Sequence, residues 1–205
     1  MLLYVHPDNP QARNIKTIVE CLKNGGVIIY PTDTIYGIGC DIYNTEAIAR
    51  VARIKKIDVK KAQFSFICSD LSHLSDYAKS VDTPVFRLLK SLLPGPYTFI
   101  LPASKQVPKL LKTKKDTVGI RIPANNICHE IVKELGHPLM SASLPMDGEI
   151  EYFTDPEIMH ELFENVVDMV IDGGPGGILS STIIDCTDGT PTLIRAGAGK
   201  WTGNE

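Results

Sequence analysis

The chain has 205 residues and a formal charge of −3 at pH 7; hydrophobic residues make up 43% and charged residues 22%. That balance belongs to a soluble chain that buries a core, and at this length the core needs no disulfide staples or structural metal. No apolar run approaches the ~18–20 residues of a membrane span, and the opening MLLYVHPDNP lacks a basic and apolar leader, so a cytoplasmic protein without membrane contact is expected.

Leu2–His6 reads as a strand. Asn9-Pro10 starts a helix with Pro10 at its first position; Ile15, Ile18, Val19 and Leu22 keep helical spacing, and Gly25-Gly26 ends the run. Val27–Tyr30 and Thr34–Asp41 read as strands, separated at Pro31. Asn44 caps a helix over Thr45–Lys55 with an apolar side of Ala47, Ile48, Val51, Ala52 and Ile54. A strand follows at Phe64–Cys68, then short helices near Ser72–Tyr77 and Pro84–Leu93, then strands at Tyr97–Leu101 and Thr117–Ile122. Asn126–Leu135 is a helix closed by Gly136, Leu139–Ser143 a strand, and Pro156–Phe163 a helix after Asp155. Val166–Ile171, Ser181–Cys186 and Thr192–Arg195 complete the strands. Strands and helices interleave and no linker or repeat intervenes, which predicts one α/β domain over residues 1–205 with helices on a large mixed sheet.

The charge is unevenly distributed. From Arg50 to Arg121 there are 15 Lys/Arg against five Asp/Glu, while Glu134–Ile194 holds 12 Asp/Glu and no Lys or Arg. If the blocks stay apart once folded, the first forms a basic face for an anion such as ATP or RNA; if they mix, no patch results. The five cysteines (Cys21, Cys40, Cys68, Cys128, Cys186) are odd in number and contain no CxxC pair, so neither zinc nor a disulfide framework is indicated. No P-loop, GxGxxG after a strand, GxSxG elbow or HExxH is present. Gly173-Gly174-Pro175-Gly176-Gly177 between two strands is either a nest of backbone N–H groups for an anion or a tight turn.

Several segments then align with one family. Tyr30–Asp41 (YPTDTIYGIGCD) resembles the (Y/F)PT(D/E)TVYGLGCDA signature of the YrdC/YciO family, which contains the L-threonylcarbamoyladenylate synthases. Pro94–Leu101 (PGPYTFIL), Val118–Pro123 (VGIRIP), Pro138–Ser143 (PLMSAS), Ser181–Thr187 (STIIDCT) and Leu193–Gly197 (LIRAG) resemble further family segments, in the family order, over about residues 15–197. The likeness is strongest to the YciO branch.

The resemblance implies a YrdC-like twisted open mixed sheet with flanking helices and a basic concave cavity. It implies ATP, L-threonine and bicarbonate as substrates, with magnesium accompanying ATP, and threonylcarbamoyl-AMP and pyrophosphate as products, for tRNA modification. In this likeness Thr34, Arg121, Ser141 and Ser181 hold L-threonine, and Lys55, Thr117, Ser143 and Arg195 hold the nucleotide. Lys55, Lys56, Ser141 and Ser143 fall at the catalytic positions. Synthases carry a KxR…SxN tetrad on ATP; here its arginine and asparagine positions hold Ile57 and Ser143, with Lys56, Lys60 and Lys61 as partial substitutes. The alternative is a nucleotide-binding relative with weak or no synthase activity that binds RNA, tRNA or double-stranded, by backbone charge and shape.

Overall fold

The computed structural model of the chain describes residues 1–59, 62, 64–113, 115–144 and 153–203. Among the described residues ten strands form one mixed sheet: β1 (Leu2–Tyr4), β2 (Ile28–Tyr30), β3 (Gly37–Asp41), β4 (Ser65–Ile67), β5 (Tyr97–Pro102), β6 (Thr117–Arg121), β7 (Leu139–Ser143), β8 (Met169–Asp172), β9 (Thr182–Asp185) and β10 (Thr192–Arg195). Their spatial order is β1-β8-β2-β3-β7-β4-β6-β5-β9-β10. The helices are α1 (Ala12–Lys23), α2 (Thr45–Ile54), α3 (Leu71–Tyr77), α4 (Thr83–Leu92), α5 (Asn126–Leu135) and α6 (Pro156–Phe163).

Side chains of successive strand residues point to opposite faces, and this alternation divides the core. Ile28, Tyr30, Ile67 and Leu139 pack with Ile15, Ile18 and Leu22 of α1 and Ile127, Ile131 and Val132 of α5. Ile29, Phe66 and Met140 pack on the other face with Ile48 and Val51 of α2 and Leu89 of α4. α1 and α5 cover only part of their face. On its uncovered remainder the same parity turns small or polar: Gly37 lies opposite Ser143, Ser65 opposite Ser141, and Thr98 opposite Ile183.

Helix boundaries follow short polar caps. Asn44, Asp70, Asp82, Asn125 and Asp155 each accept a backbone N–H in the first turn of the helix they precede, worth about 1 kcal/mol apiece. α1 departs from expectation: Gln11 occupies its cap, the helix begins at Ala12, and Pro10 lies outside it. The expected strand at Thr34–Asp41 begins only at Gly37, because residues 34–36 instead form the wall described below. Four of the five cysteines are buried, Cys21 is half-buried, and all are free thiols; burial, reinforced by neighbouring aspartates, pushes Cys186 up to about 12. No helix among the described residues is long and apolar enough to cross a membrane.

Candidate active site

A cavity of about 300 Å³ opens on the uncovered sheet face. Seven consecutive strands of the sheet or their flanks contribute to it: Gly37, Ser141 to Ser143, Ser65, Arg121, Thr98, Ser181 with Ile183, and Arg195, together with Ile35, Tyr36 and Lys55. Among the described residues, three cations and several hydroxyls line it, and no carboxylate does. Residues from positions 35 to 195 meet because strand order in space differs from order in the chain.

Arg121 ends β6 and is 8% exposed. Its Nη2 donates to Asp33 Oδ1 at 2.9 Å and to Thr34 Oγ1 at 3.0 Å. Its Nε is buried with no hydrogen-bond partner, an unmet donor in a wall of the cavity. Thr34 itself does not line the cavity; it lies behind the wall and holds the arginine. Asp33 was not singled out by the sequence reading. The signal available was the aspartate of the PTDT segment, whose partner lies 88 residues away.

Arg195 projects from the edge strand β10, and its Nη2 donates to the Ser181 carbonyl at 2.8 Å. Desolvation and the like charge of Arg121 hold its pKa below the ordinary arginine value, so the two guanidiniums repel each other across a space that an anion would stabilise. Ser181 Oγ is 2.8 Å from Thr98 Oγ1. Ser141 Oγ accepts the buried Tyr30 hydroxyl at 2.5 Å, which leaves the serine's own proton free to donate elsewhere. Burial pushes the Tyr30 phenol up, so it stays a donor.

Lys55 is the C-cap of α2, and its Nζ donates to the Ser143 carbonyl. Burial lowers its pKa. Lys56 follows in the left-handed region at φ 53°. Its N–H bonds Arg53 O, and the Ile57 N–H bonds Ala52 O, both at 3.0 Å. This is the closure that glycine usually makes at a helix end, and a lysine there costs about 1 kcal/mol. The turn carries Lys56 away from the cavity lining, so the structure does not bring it together with Lys55 and Ser143. Ile57 is 39% exposed. Lys60 and Lys61 lie outside the described residues.

Thr117 lies in an adjoining side pocket of about 80 Å³ with Phe64, Ile100, Thr113 and Gly119; this pocket shares Ser65, Thr98 and Ile183 with the main cavity. The glycine-rich loop is not an anion nest. Gly173 N donates to Tyr36 Oη, Gly174 N to Asp172 Oδ1, Gly176 N to Thr154 O and Gly177 N to Thr34 O. Its donors are spent inside the protein, and its glycines serve close packing: a Cβ on Gly177 would sit 2.7 Å from the Thr34 carbonyl, and one on Gly176 2.7 Å from the Tyr36 ring. Beyond that partition, Asp155, Glu157 and Asp172 line a separate hollow. The charged blocks of the sequence meet in the fold: Arg50 pairs with Asp168 at 2.6 Å, and Asp185 lies opposite Ile100 where β5 and β9 pair.

Fold and site together define an α/β protein with a cationic cavity spread over one face of its sheet. The Sua5_yciO_yrdC family model, described as "Telomere recombination", matches residues 20–197. The chain belongs to this Sua5/YciO/YrdC family. It is 44% identical over 197 residues to "Uncharacterized protein YciO" of Escherichia coli K12, covering 96% of this chain and 95% of that protein. It superposes on the crystal structure of E. coli YciO with a TM-score of 0.91, over 98% of this chain and 97% of the other. It is 33% identical to the threonylcarbamoyl-AMP synthase of Coxiella burnetii RSA 493 over 164 residues, 80% of this chain and 87% of that one. The Pyrococcus abyssi Sua5 structure complexed with L-threonine matches at a TM-score of 0.86 and 27% identity, over 96% of this chain and 57% of that one.

Proposed function

We propose that this chain is a threonylcarbamoyl-AMP synthase that combines L-threonine, bicarbonate and ATP, and that it supplies tRNA modification. The observation that carries the reading is the cavity in which Lys55, Arg121 and Arg195 meet the hydroxyls of Ser141, Ser143 and Ser181. The relatives named threonylcarbamoyl-AMP synthase and the threonine-bound Sua5 support it.

The chemistry needs positioned charge more than acid–base groups. Threonine's amine takes up bicarbonate with loss of water to give a carbamate. A carbamate oxygen then attacks the α-phosphorus of ATP, and the bond to the β-phosphate oxygen breaks to release pyrophosphate. Arg121 receives the amino acid's carboxylate, and the hydroxyls of Ser141 and Ser181 orient it. Lys55 and Arg195 neutralise the polyphosphate, Ser143 flanks it, and the side pocket at Phe64, Ile100 and Thr117 takes the base. Among the described residues no cavity-lining carboxylate is present to ligate magnesium. The described residues therefore do not fit a protein-held ion, and magnesium would enter on the triphosphate.

A second reading, a nucleotide- or RNA-binding relative with little turnover, is favoured by Ile57 and Ser143 at the tetrad positions. Losing one preorganised charge stabiliser costs about 3–4 kcal/mol. Lys105, Lys109 and Lys115, exposed on the β5–β6 connection, supply charge for a nucleic-acid backbone. The discriminating measurement is pyrophosphate release from ATP. Release that requires both threonine and bicarbonate, and that rises at least about ten-fold in Ile57→Arg/Ser143→Asn, supports the synthase. No release at stoichiometric enzyme, with ATP binding retained, supports the second reading. RNA affinity in that case should fall with log salt at about 0.7–0.9 per phosphate contacted.

A further inference from the structure

We infer that Asp33, assisted by Thr34, is the positioning residue for Arg121: it fixes the rotation of the guanidinium so that the N–H groups it does not engage are kept for a carboxylate. This rests on the reading that Arg121 receives the carboxylate of the substrate.

The two oxygens of Asp33 have separate tasks. Oδ1 accepts from Arg121 Nη2 at 2.9 Å, and Oδ2 accepts from the backbone N–H of Ala124 at 3.0 Å. Ala124 lies between β6, which ends in Arg121, and the Asn125 cap of α5. Asp33 thus ties the arginine to the chain that leaves its own strand. Both partners of the pair are about nine-tenths buried, with side-chain exposures of 10% and 9%.

The hydroxyl of Thr34 completes the clamp. Thr32 Oγ1 donates to the Ile35 carbonyl at 2.7 Å, which uses its single proton. The 3.0 Å contact between the two hydroxyls is therefore Thr34 donating to Thr32. The proton of Thr34 is spent in the wall, and its oxygen faces Arg121 Nη2 at 3.0 Å. Both hydrogens of Nη2 are thereby occupied, which stops the guanidinium from turning and leaves the Nη1 and Nε hydrogens over.

A passive counter-ion and a positioning residue make opposite predictions. Asparagine matches the shape of aspartate but has one acceptor oxygen, so Asp33→Asn cannot serve both Arg121 and Ala124. If Asp33 only neutralised Arg121, removing its charge would tighten anion binding. If it positions Arg121, carboxylate binding weakens although a negative charge has been removed.

The test compares binding of L-threonine and L-threoninol, which lacks the carboxylate, to the full chain by calorimetry. Side-chain ¹⁵N NMR of the arginines in the free protein runs alongside. The wild type should prefer threonine and show two separately resolved Nη2 hydrogens on Arg121. In Asp33→Asn and Thr34→Val the preference should fall about ten-fold, the loss of one charge-assisted bond, and the hydrogens should average; Thr34→Ser should restore both. Threonine binding in Asp33→Asn equal to or tighter than wild type overturns the inference, as does an unchanged Arg121 signal. If Asp33→Asn does not fold, the two Thr34 variants decide. If the wild type binds neither ligand, the amino-acid reading fails, and the NMR arm alone decides whether Asp33 holds Arg121.

Discussion

Two aspartates at the ends of one segment, Asp33 and Asp41, each hold a basic side chain, and the two pairs differ in what they leave over. His137 Nε2 lies 3.4 Å from Asp41 Oδ2, its Nδ1 lies 3.2 Å from the Pro138 carbonyl, and its ring meets Tyr43 edge-on at 4.8 Å. Both ring nitrogens are engaged. Arg121 on Asp33 keeps an unpartnered Nε, and two further cations share its cavity. The satisfied pair fastens the start of β7 to the end of β3; the unsatisfied pair is a binding group held in place. What separates structural from functional ion pairs here is the remaining hydrogen-bond capacity, since burial is similar.

The largest contrast should come from removing the cations. Arg121→Met leaves Asp33 buried without its partner, which costs about 3–5 kcal/mol in urea unfolding, and threonine binding should be lost. A loss below about 1 kcal/mol would mean that Asp33 finds solvent and the pair is not buried in solution. Gly177→Ala comes next. Its methyl group meets the Thr34 backbone, so it should cost about 1–3 kcal/mol and weaken threonine binding. The pH response of the His137 pair should stay as in wild type, because the disturbance reaches only the Asp33 end.

The smallest effect belongs to His137→Gln, below about 1 kcal/mol, with binding unchanged. Burial by itself lowers the His137 pKa, but the hydrogen bond and charge of Asp41 outweigh it and raise the value. Asp41 is also penalised by burial, and its bonds to His137 and the Tyr43 N–H bring it below the usual range. A raised histidine stabilises below its unfolded pKa, and that contribution fades as pH climbs through the folded value. A depressed aspartate stabilises above its unfolded pKa and fades as pH falls through the folded one. The wild-type advantage over His137→Gln should therefore be greatest between about pH 4 and 6.5 and shrink on both sides in thermal melts. A difference that is flat with pH would show that the pair is not charged.

Much of the sheet was legible because its strands carry strong local signals. β7, β10, α5 and α6 fall at the expected residues, the last two fixed by Gly136 with φ 82° and by the Asp155 cap. Lys55, Arg121, Ser141, Ser143, Ser181 and Arg195 were expected at one site and do line one cavity. What escaped depends on partners remote in the chain or on backbone geometry. The spacing of Asp33 and Arg121 along the sequence carries no sign that they meet. The donors of Gly173 to Gly177 could be assigned only once Tyr36 and Thr34 were seen against them. Lys56 is not among the described lining residues, and the left-handed backbone that accompanies this has no sequence signature at a lysine; the usual marker there is glycine.

The loop packed on Tyr36 has an effect that reaches beyond the residues it touches. Tyr36 borders the cationic cavity while its hydroxyl bonds Gly174, which borders the acidic hollow of Asp155, Glu157 and Asp172. One hydrogen-bonded pair of residues thus touches a cationic lining on one side and an acidic one on the other. A small anion diffusing over this edge of the protein is drawn to one side and turned back from the other, so the partition gives the cavity a direction of approach as well as a wall.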